Sequence, residues 1–266
     1  MNHLTAVQYR PPAEAQGYPF NVPVIRTLER LEFEAPVTFL VGENGSGKST
    51  LLEALAVAAG LPVVGGTPLE SDPTLSAARH LARHLKLGWK RRTHRGFFLR
   101  AEDFFNFCRA LSALRADLRA DLENVDNALA GRSEYARQLA KGVYQGNIRS
   151  LEAAYGENLD ANSHGESFLK LFQARLAPDG LYLLDEPEAP LSPARQLALL
   201  SLLMAKVQEG CQFIIATHSP ILMALPGAVI LSFDEAPVRP VAYEELEHVR
   251  ITRDFLRNPE RYLRHL

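Results

Sequence analysis

The sequence predicts an α/β domain: a mostly parallel central sheet with a helical subdomain inserted into it. Three observations lead there. Short apolar runs (Val37–Val41, Leu181-Tyr182-Leu183-Leu184 and Gln212–Ala216) each end at a turn signal, and helical patterns follow the first two. Runs that are apolar at successive positions suit strands buried on both faces, the habit of parallel sheets. From 104 to about 148, Leu111, Leu114, Leu118, Leu122, Val125 and Leu129 recur at three- and four-residue spacing, the mark of amphipathic helix. No repeat or Gly/Ser linker divides the chain, so its 266 residues read as one domain with a subdomain at about 103–176.

Taken in order, the Val37–Val41 strand breaks at Gly42, and a helix begins near Lys48. Leu51, Leu52, Leu55 and Val57 form its apolar face, and Gly60 with Pro62 stops it. In the inserted stretch, Arg115, Arg119, Asp117, Asp121 and Glu123 are expected on a solvated helix face. After the Leu181 run, Ser192-Pro193 pairs an N-cap with proline at the first helical position. That helix ends at Gly210, and the Gln212–Ala216 strand leads into Thr217-His218-Ser219-Pro220.

Composition narrows the class further. Apolar residues are 47% and charged residues 23%, and 29 Lys plus Arg against 31 Asp plus Glu leave a net charge of -2. That balance argues against a wholesale polybasic nucleic-acid binder. Cys108 and Cys211 are too few for a disulfide framework or a four-ligand zinc site, so a reducing cytoplasm is the expected compartment. The first ten residues lack a secretory layout, and the longest apolar stretch, 197–205, is too short to span a bilayer.

Gly42-Glu43-Asn44-Gly45-Ser46-Gly47-Lys48-Ser49-Thr50 contains G-x-x-x-x-G-K-[ST] between a predicted strand and helix, the context the motif requires. Glycines let backbone N–H groups turn inward around phosphate oxygens, and the following helix aims its N-terminus at the same anion. Lys48 can reach the β and γ phosphates, and the Ser49 hydroxyl can ligate Mg²⁺. At the end of the buried Leu181 run, Asp185-Glu186 falls beside this loop in a parallel sheet. Asp185 is expected to hold Mg²⁺, usually through water, and Glu186 to polarise the attacking water.

With these residues and His218, the sequence resembles the nucleotide-binding domains of the ABC ATPase superfamily. Ser163-His164-Gly165-Glu166-Ser167, ahead of Phe168, Leu169, Leu171, Phe172 and Leu176, looks like that family's L-S-G-G-Q signature. His164 stands for the first Gly and Glu166 for the Gln, departures closer to soluble AAA-family ATPases than to transporter cassettes. The resemblance implies that Ser163 and Gly165 touch the γ-phosphate held by an opposite protomer, and that His218 is the switch histidine sensing it. It puts Glu102, after Gly96-Phe97-Phe98-Leu99-Arg100-Ala101, where the family's Mg²⁺-contacting glutamine falls. It makes Tyr18 or Phe20 the adenine-stacking aromatic, with Tyr18 preferred, and 188–192 the dimer-facing loop.

The implied protein is a compact, cytoplasmic, Mg²⁺-dependent ATPase that forms a head-to-tail homodimer on ATP. The interval from Glu102 to Ser163 leaves no room for long coiled-coil arms. Two other roles fit the same residues: the ATPase subunit of a transporter with a separate permease, or an ATP-gated switch or defence adaptor with little turnover. Lys90-Arg91-Arg92-Thr93-His94-Arg95, the dense basic run, is a candidate contact for nucleic acid or an acidic protein, or a loop beside the subdomain junction paired with local acids. The last thirty or so residues carry no chemistry that the sequence makes legible.

Overall fold

The structure is a computed structural model that describes residues 2–13, 16–64, 72–155 and 164–264. Its centre is a six-stranded sheet of β3 (Val37–Val41), β5 (Gly96–Arg100), β6 (Leu181–Asp185), β7 (Gln212–Ala216), β8 (Val229–Ser232) and β9 (Arg239–Pro240), in the order β5-β6-β7-β3-β8-β9. Every neighbouring pair is parallel except β8–β9. A second, antiparallel sheet has the order β2-β1-β4, from β1 (Leu4–Tyr9), β2 (Arg30–Glu32) and β4 (Leu85–Trp89).

Alternation along the central strands sorts side chains between two apolar layers, which explains why the runs carry no polar face. Leu40, Phe98, Leu183 and Ile214 join Leu51, Leu52 and Leu55 of α2 (Lys48–Ala59), with Leu4, Val7 and Leu31 of the antiparallel sheet. On the other face Phe39, Leu99, Leu184 and Ile215 meet Phe168, Leu171 and Phe172 of α6 (His164–Arg175) and Leu199 and Leu203 of α7 (Pro193–Gln208). The short helices α1 (Pro23–Arg26) and α3 (Ser76–Ala82) complete the first layer, and α8 (Pro220–Met223) caps the second. At the base of the sheet, buried Gln212 accepts from His3 N and Leu4 N (both 2.8 Å) and donates to Leu4 O (2.8 Å). This clamps β1 to the start of β7.

The inserted stretch is a hairpin, α4 (Ala101–Ala128) and α5 (Glu134–Tyr155), broken around Gly131 at φ 87. Its charges are not all on a solvated face, as the sequence suggested. Arg115 is buried, and it and Arg119 both donate to Glu152 Oε1 across the hairpin, at 3.0 and 3.2 Å. An antiparallel partner helix covers part of the polar stripe. After β9 come α9 (Glu247–Arg257) and α10 (Pro259–Leu263).

Candidate functional site

The site lies where β3, β6 and β7 end together. β3 delivers the chain to Gly42, and the loop closes at Gly47, the N-cap of α2, with φ 104. A side chain at Gly47 would meet Val22 Cγ1 at 2.8 Å and Val24 Cγ2 at 2.9 Å besides straining that backbone. The tip, Glu43-Asn44-Gly45, is exposed. The start of the loop is pinned from β8's end, because Glu43 N–H donates to Asp234 Oδ1 (2.8 Å).

Lys48 is only 5% exposed, and its Nζ donates to Gly42 O (2.6 Å) and Glu43 O (2.9 Å). Burial pushes its pKa down, while Asp185, Glu186 and Asp234 pull it back up. Next along α2, Ser49 Oγ donates to Asp185 Oδ1 (3.2 Å). Burial lifts Asp185 from its ordinary 3.8 to about 6; the Ser49 bond opposes the rise and the charge of Glu186 adds to it. A carboxylate that costly to ionise, beside a hydroxyl, is a hard-oxygen pair suited to a divalent cation.

Glu186 has a left-handed backbone, φ 49, held by its N–H on Ala216 O (2.9 Å). A non-glycine residue rarely adopts that conformation without a reason. Its carboxylate is about half exposed, with Oε1 3.9 Å from His218 Nε2. The His218 backbone is fixed by donation to Glu188 Oε1 (2.8 Å), in the expected dimer-facing loop, and Ser219 caps α8 by accepting from Leu222 N (3.1 Å). His218 Nε2 is enclosed without a hydrogen-bond partner among the described residues. A cleft of about 750 Å³ opens between the loop Gly42–Ser46, His218, Asp234 and His248.

Tyr18 is 61% exposed, and its hydroxyl lies 2.9 Å from Thr50 Oγ1, which sets an aromatic face beside the phosphate-loop helix. Phe20 is buried edge-on against His80 and His84, so packing claims that ring. Glu102 does not join the group. The first turn of α4 carries its carboxylate outward to Arg100 (3.4 Å), and no contact links it to Ser49 or Asp185 among the described residues. Gly165 lies in the first turn of α6, whereas Ser163 falls outside the described residues.

The basic run sits at the opposite end of the sheet, at the start of β5, whereas the helical hairpin begins at that strand's other end. Arg91 pairs with Asp179 (3.5 Å), and Arg95 donates to Pro178 O (3.2 Å). Sequence reasoning missed three features. Asp234 stands two residues past the short apolar strand β8, much as Asp185 closes β6, and that acid after an apolar run was the available signal. Arg100 is a hub whose guanidinium contacts Glu53 (3.7 Å), Asp72 (3.1 Å) and Asp103 (2.8 Å) from three segments. Burial drives Glu53 in that hub up to about 7. His248, in the cleft, carried no local signal.

A glycine loop between strand and helix, a buried lysine and a strand-end aspartate beside the loop's serine define a P-loop nucleoside triphosphatase. Two family models match the chain: "AAA domain" over 21–72 and "AAA domain, putative AbiEii toxin, Type IV TA system" over 105–224. Among curated proteins, the cytochrome c biogenesis ATP-binding export protein CcmA of Rhodospirillum rubrum is 31% identical over 202 residues, 73% of this chain and 72% of that protein. Its namesake from Paramagnetospirillum magneticum is 31% identical over 207 residues, 75% and 82% respectively. The chain belongs to the ABC family of ATPases. Among solved structures, cbiO1 from Clostridium perfringens, part of the ABC transporter complex cbiONQ, is 15% identical with a TM-score of 0.44, covering 100% of both chains. The Smc head domain from Pyrococcus furiosus is 12% identical with a TM-score of 0.45, covering 96% of this chain and 99% of that one.

Proposed function

We propose that the protein hydrolyses ATP with Mg²⁺ at composite sites of an ATP-induced head-to-tail homodimer. The observation that carries the reading is the convergence of Lys48, the Ser49–Asp185 pair, Glu186 and His218 on one end of the sheet. Lys48 exchanges the carbonyls of Gly42 and Glu43 for β- and γ-phosphate oxygens, where its charge offsets theirs. Backbone N–H groups of the loop and the N-terminus of α2 bind the same phosphates. Ser49 and Asp185 hold Mg²⁺, which when bound neutralises charge on the phosphates. Glu186 accepts a hydrogen bond from the attacking water, and His218 donates from Nε2 to the γ-phosphate. Tyr18 stacks on the adenine.

His218 Nε2, enclosed without a partner among the described residues, supports a phosphate oxygen as its acceptor, and the exposed loop tip Glu43-Asn44-Gly45 supports a site that a second copy closes. In the head-to-tail arrangement, Ser163 and Gly165 of a second copy close it, and two-fold symmetry completes both sites at once. Cleavage of the γ-phosphate bond then releases the interface. Glu186→Gln preserves shape but loses the carboxylate that orients water, so it accumulates as an ATP-bound dimer, while Ser163→Arg blocks closure. Sedimentation of Glu186→Gln with ATP, with ADP and without nucleotide is the measurement. A monomer throughout, with ATP demonstrably bound, refutes the dimer; a dimer throughout moves the interface elsewhere.

A second reading, the ATPase subunit of a transporter, draws on the export proteins that are 31% identical. No helix among the described residues is long and apolar enough to cross a membrane. In that reading the protein serves a separate permease. Nucleotide-dependent co-purification of a membrane protein separates the two.

A further inference from the structure

The residues after β9 return to the phosphate-loop end of the sheet. Tyr243 donates its hydroxyl to Pro220 O (2.9 Å), two residues beyond His218. Leu246 and Val249 are buried in the same apolar layer as β3, β7 and α8. These anchors fix the first turn of α9 against the loop that bears His218. They also set His248 on the wall of the 750 Å³ cleft that Gly42–Ser46 and His218 line.

The His248 ring is partly buried, and its Nε2 is enclosed with no hydrogen-bond partner among the described residues, the same condition as His218 Nε2. An enclosed polar atom left unpaired is costly, and a ligand oxygen arriving there removes the cost. Among the acids that line the cleft, Asp234 is already engaged: it accepts from Glu43 N–H on Oδ1 and from Ser232 Oγ on Oδ2 (3.3 Å). Among the described residues, the two imidazoles and Ser46 Oγ are the enclosed groups lining this cleft that have no hydrogen-bond partner. Burial, reinforced by His218 and Lys48 and opposed by Asp234 and Glu247, lowers the pKa of His248, so the ring is neutral near pH 7 and keeps one N–H to donate.

We propose that His248 is a nucleotide-contacting residue that donates from Nε2 to a terminal-phosphate oxygen of ATP beside His218, making α9 a wall of the nucleotide site. The proposal rests on the ATPase reading above and adds a contact that distinguishes ATP from ADP. A hydrogen bond to a charged phosphate contributes enough that losing it weakens binding by roughly tenfold.

The test measures dissociation constants of a non-hydrolysable ATP analogue and of ADP for the wild type, His248→Ala, His248→Gln and Lys48→Ala. His248→Ala should weaken the analogue by roughly tenfold and leave ADP unchanged, and His248→Gln, whose amide reaches the Nε2 position, should recover most of the loss. No loss, or an equal loss for both nucleotides, overturns the role of His248; if Lys48→Ala still abolishes binding, the ATPase reading stands. Unimpaired binding by Lys48→Ala overturns that reading and this proposal with it. Hydrogen exchange on the wild type needs no folded variant: amides of α9 should exchange more slowly with the analogue than with ADP. Identical exchange in the two states refutes the contact.

Discussion

Replacing Asp185 by Asn removes a buried charge while keeping the side chain's shape and its bond from Ser49. Free Asp185 titrates near 3.8, but burial in the folded chain moves it to about 6. Between those values the native state holds a proton that the unfolded state has released, so rising pH costs stability in that window. At ~1.4 kcal/mol per pH unit, the cost above pH 6 reaches about 3 kcal/mol. Loss of attraction to Lys48 offsets part of the gain, so Asp185→Asn should stabilise the nucleotide-free protein at pH 8 by about 1–3 kcal/mol. In a chain of this size that is a rise of roughly 2–8 °C in Tm. At pH 4.5, where most of the wild-type group is protonated, the difference should shrink to a fraction of that. The assay is thermal and urea denaturation at both pH values with a chelator present, beside ATP turnover, which the variant should lose. A destabilised Asn variant at pH 8, or an offset equal at both pH values, would refute the reasoning. Stability gained where activity is lost is what a cation site should exhibit.

Gly47→Ala forces a β-carbon against Val22 and Val24 at φ 104, and should lower stability by about 1–3 kcal/mol and abolish nucleotide binding, read by denaturation and titration. A binding-competent variant of unchanged stability would deny the loop its geometry. Arg100→Gln leaves Asp72 and Asp103 buried without their cation and should cost about 3–5 kcal/mol, checked by urea denaturation. A cost under about 1 kcal/mol would mean the hub is not an energetic unit.

Legibility in the sequence followed how local each feature is. The phosphate loop could be read because its glycines, lysine and serine are consecutive and each has a separate geometric reason to be there. β3, β6 and β7 could be read because burial on both faces leaves unbroken apolar runs. β1 and β4 escaped notice: they pair across about eighty residues, Val7 opposite Leu87, and the alternation of Leu85-Lys86-Leu87-Gly88-Trp89 lasts only five residues and follows closely on a helix. The helical stretch was recognised from its leucines, but its fold into a hairpin depends on Gly131 and on Arg115 finding Glu152. The Arg100 hub gathers carboxylates from α2, the segment before α3 and α4, and no window of sequence contains it. His248 is the extreme case, a single imidazole whose meaning comes from where Tyr243 and Val249 dock its helix.

The clamp of Gln212 on His3 and Leu4 lies at the far pole of the strand whose other end leads to His218. One strand of five residues thus has a mechanical end and a chemical end, and they can be edited independently. Substitutions around His3 and Gln212 should tune how firmly the two sheets are bolted together, with turnover as a bystander. Substitutions beyond Ala216 should retune turnover and leave the bolt alone. An engineer seeking a sturdier form of this protein has a region to work in that the nucleotide never meets.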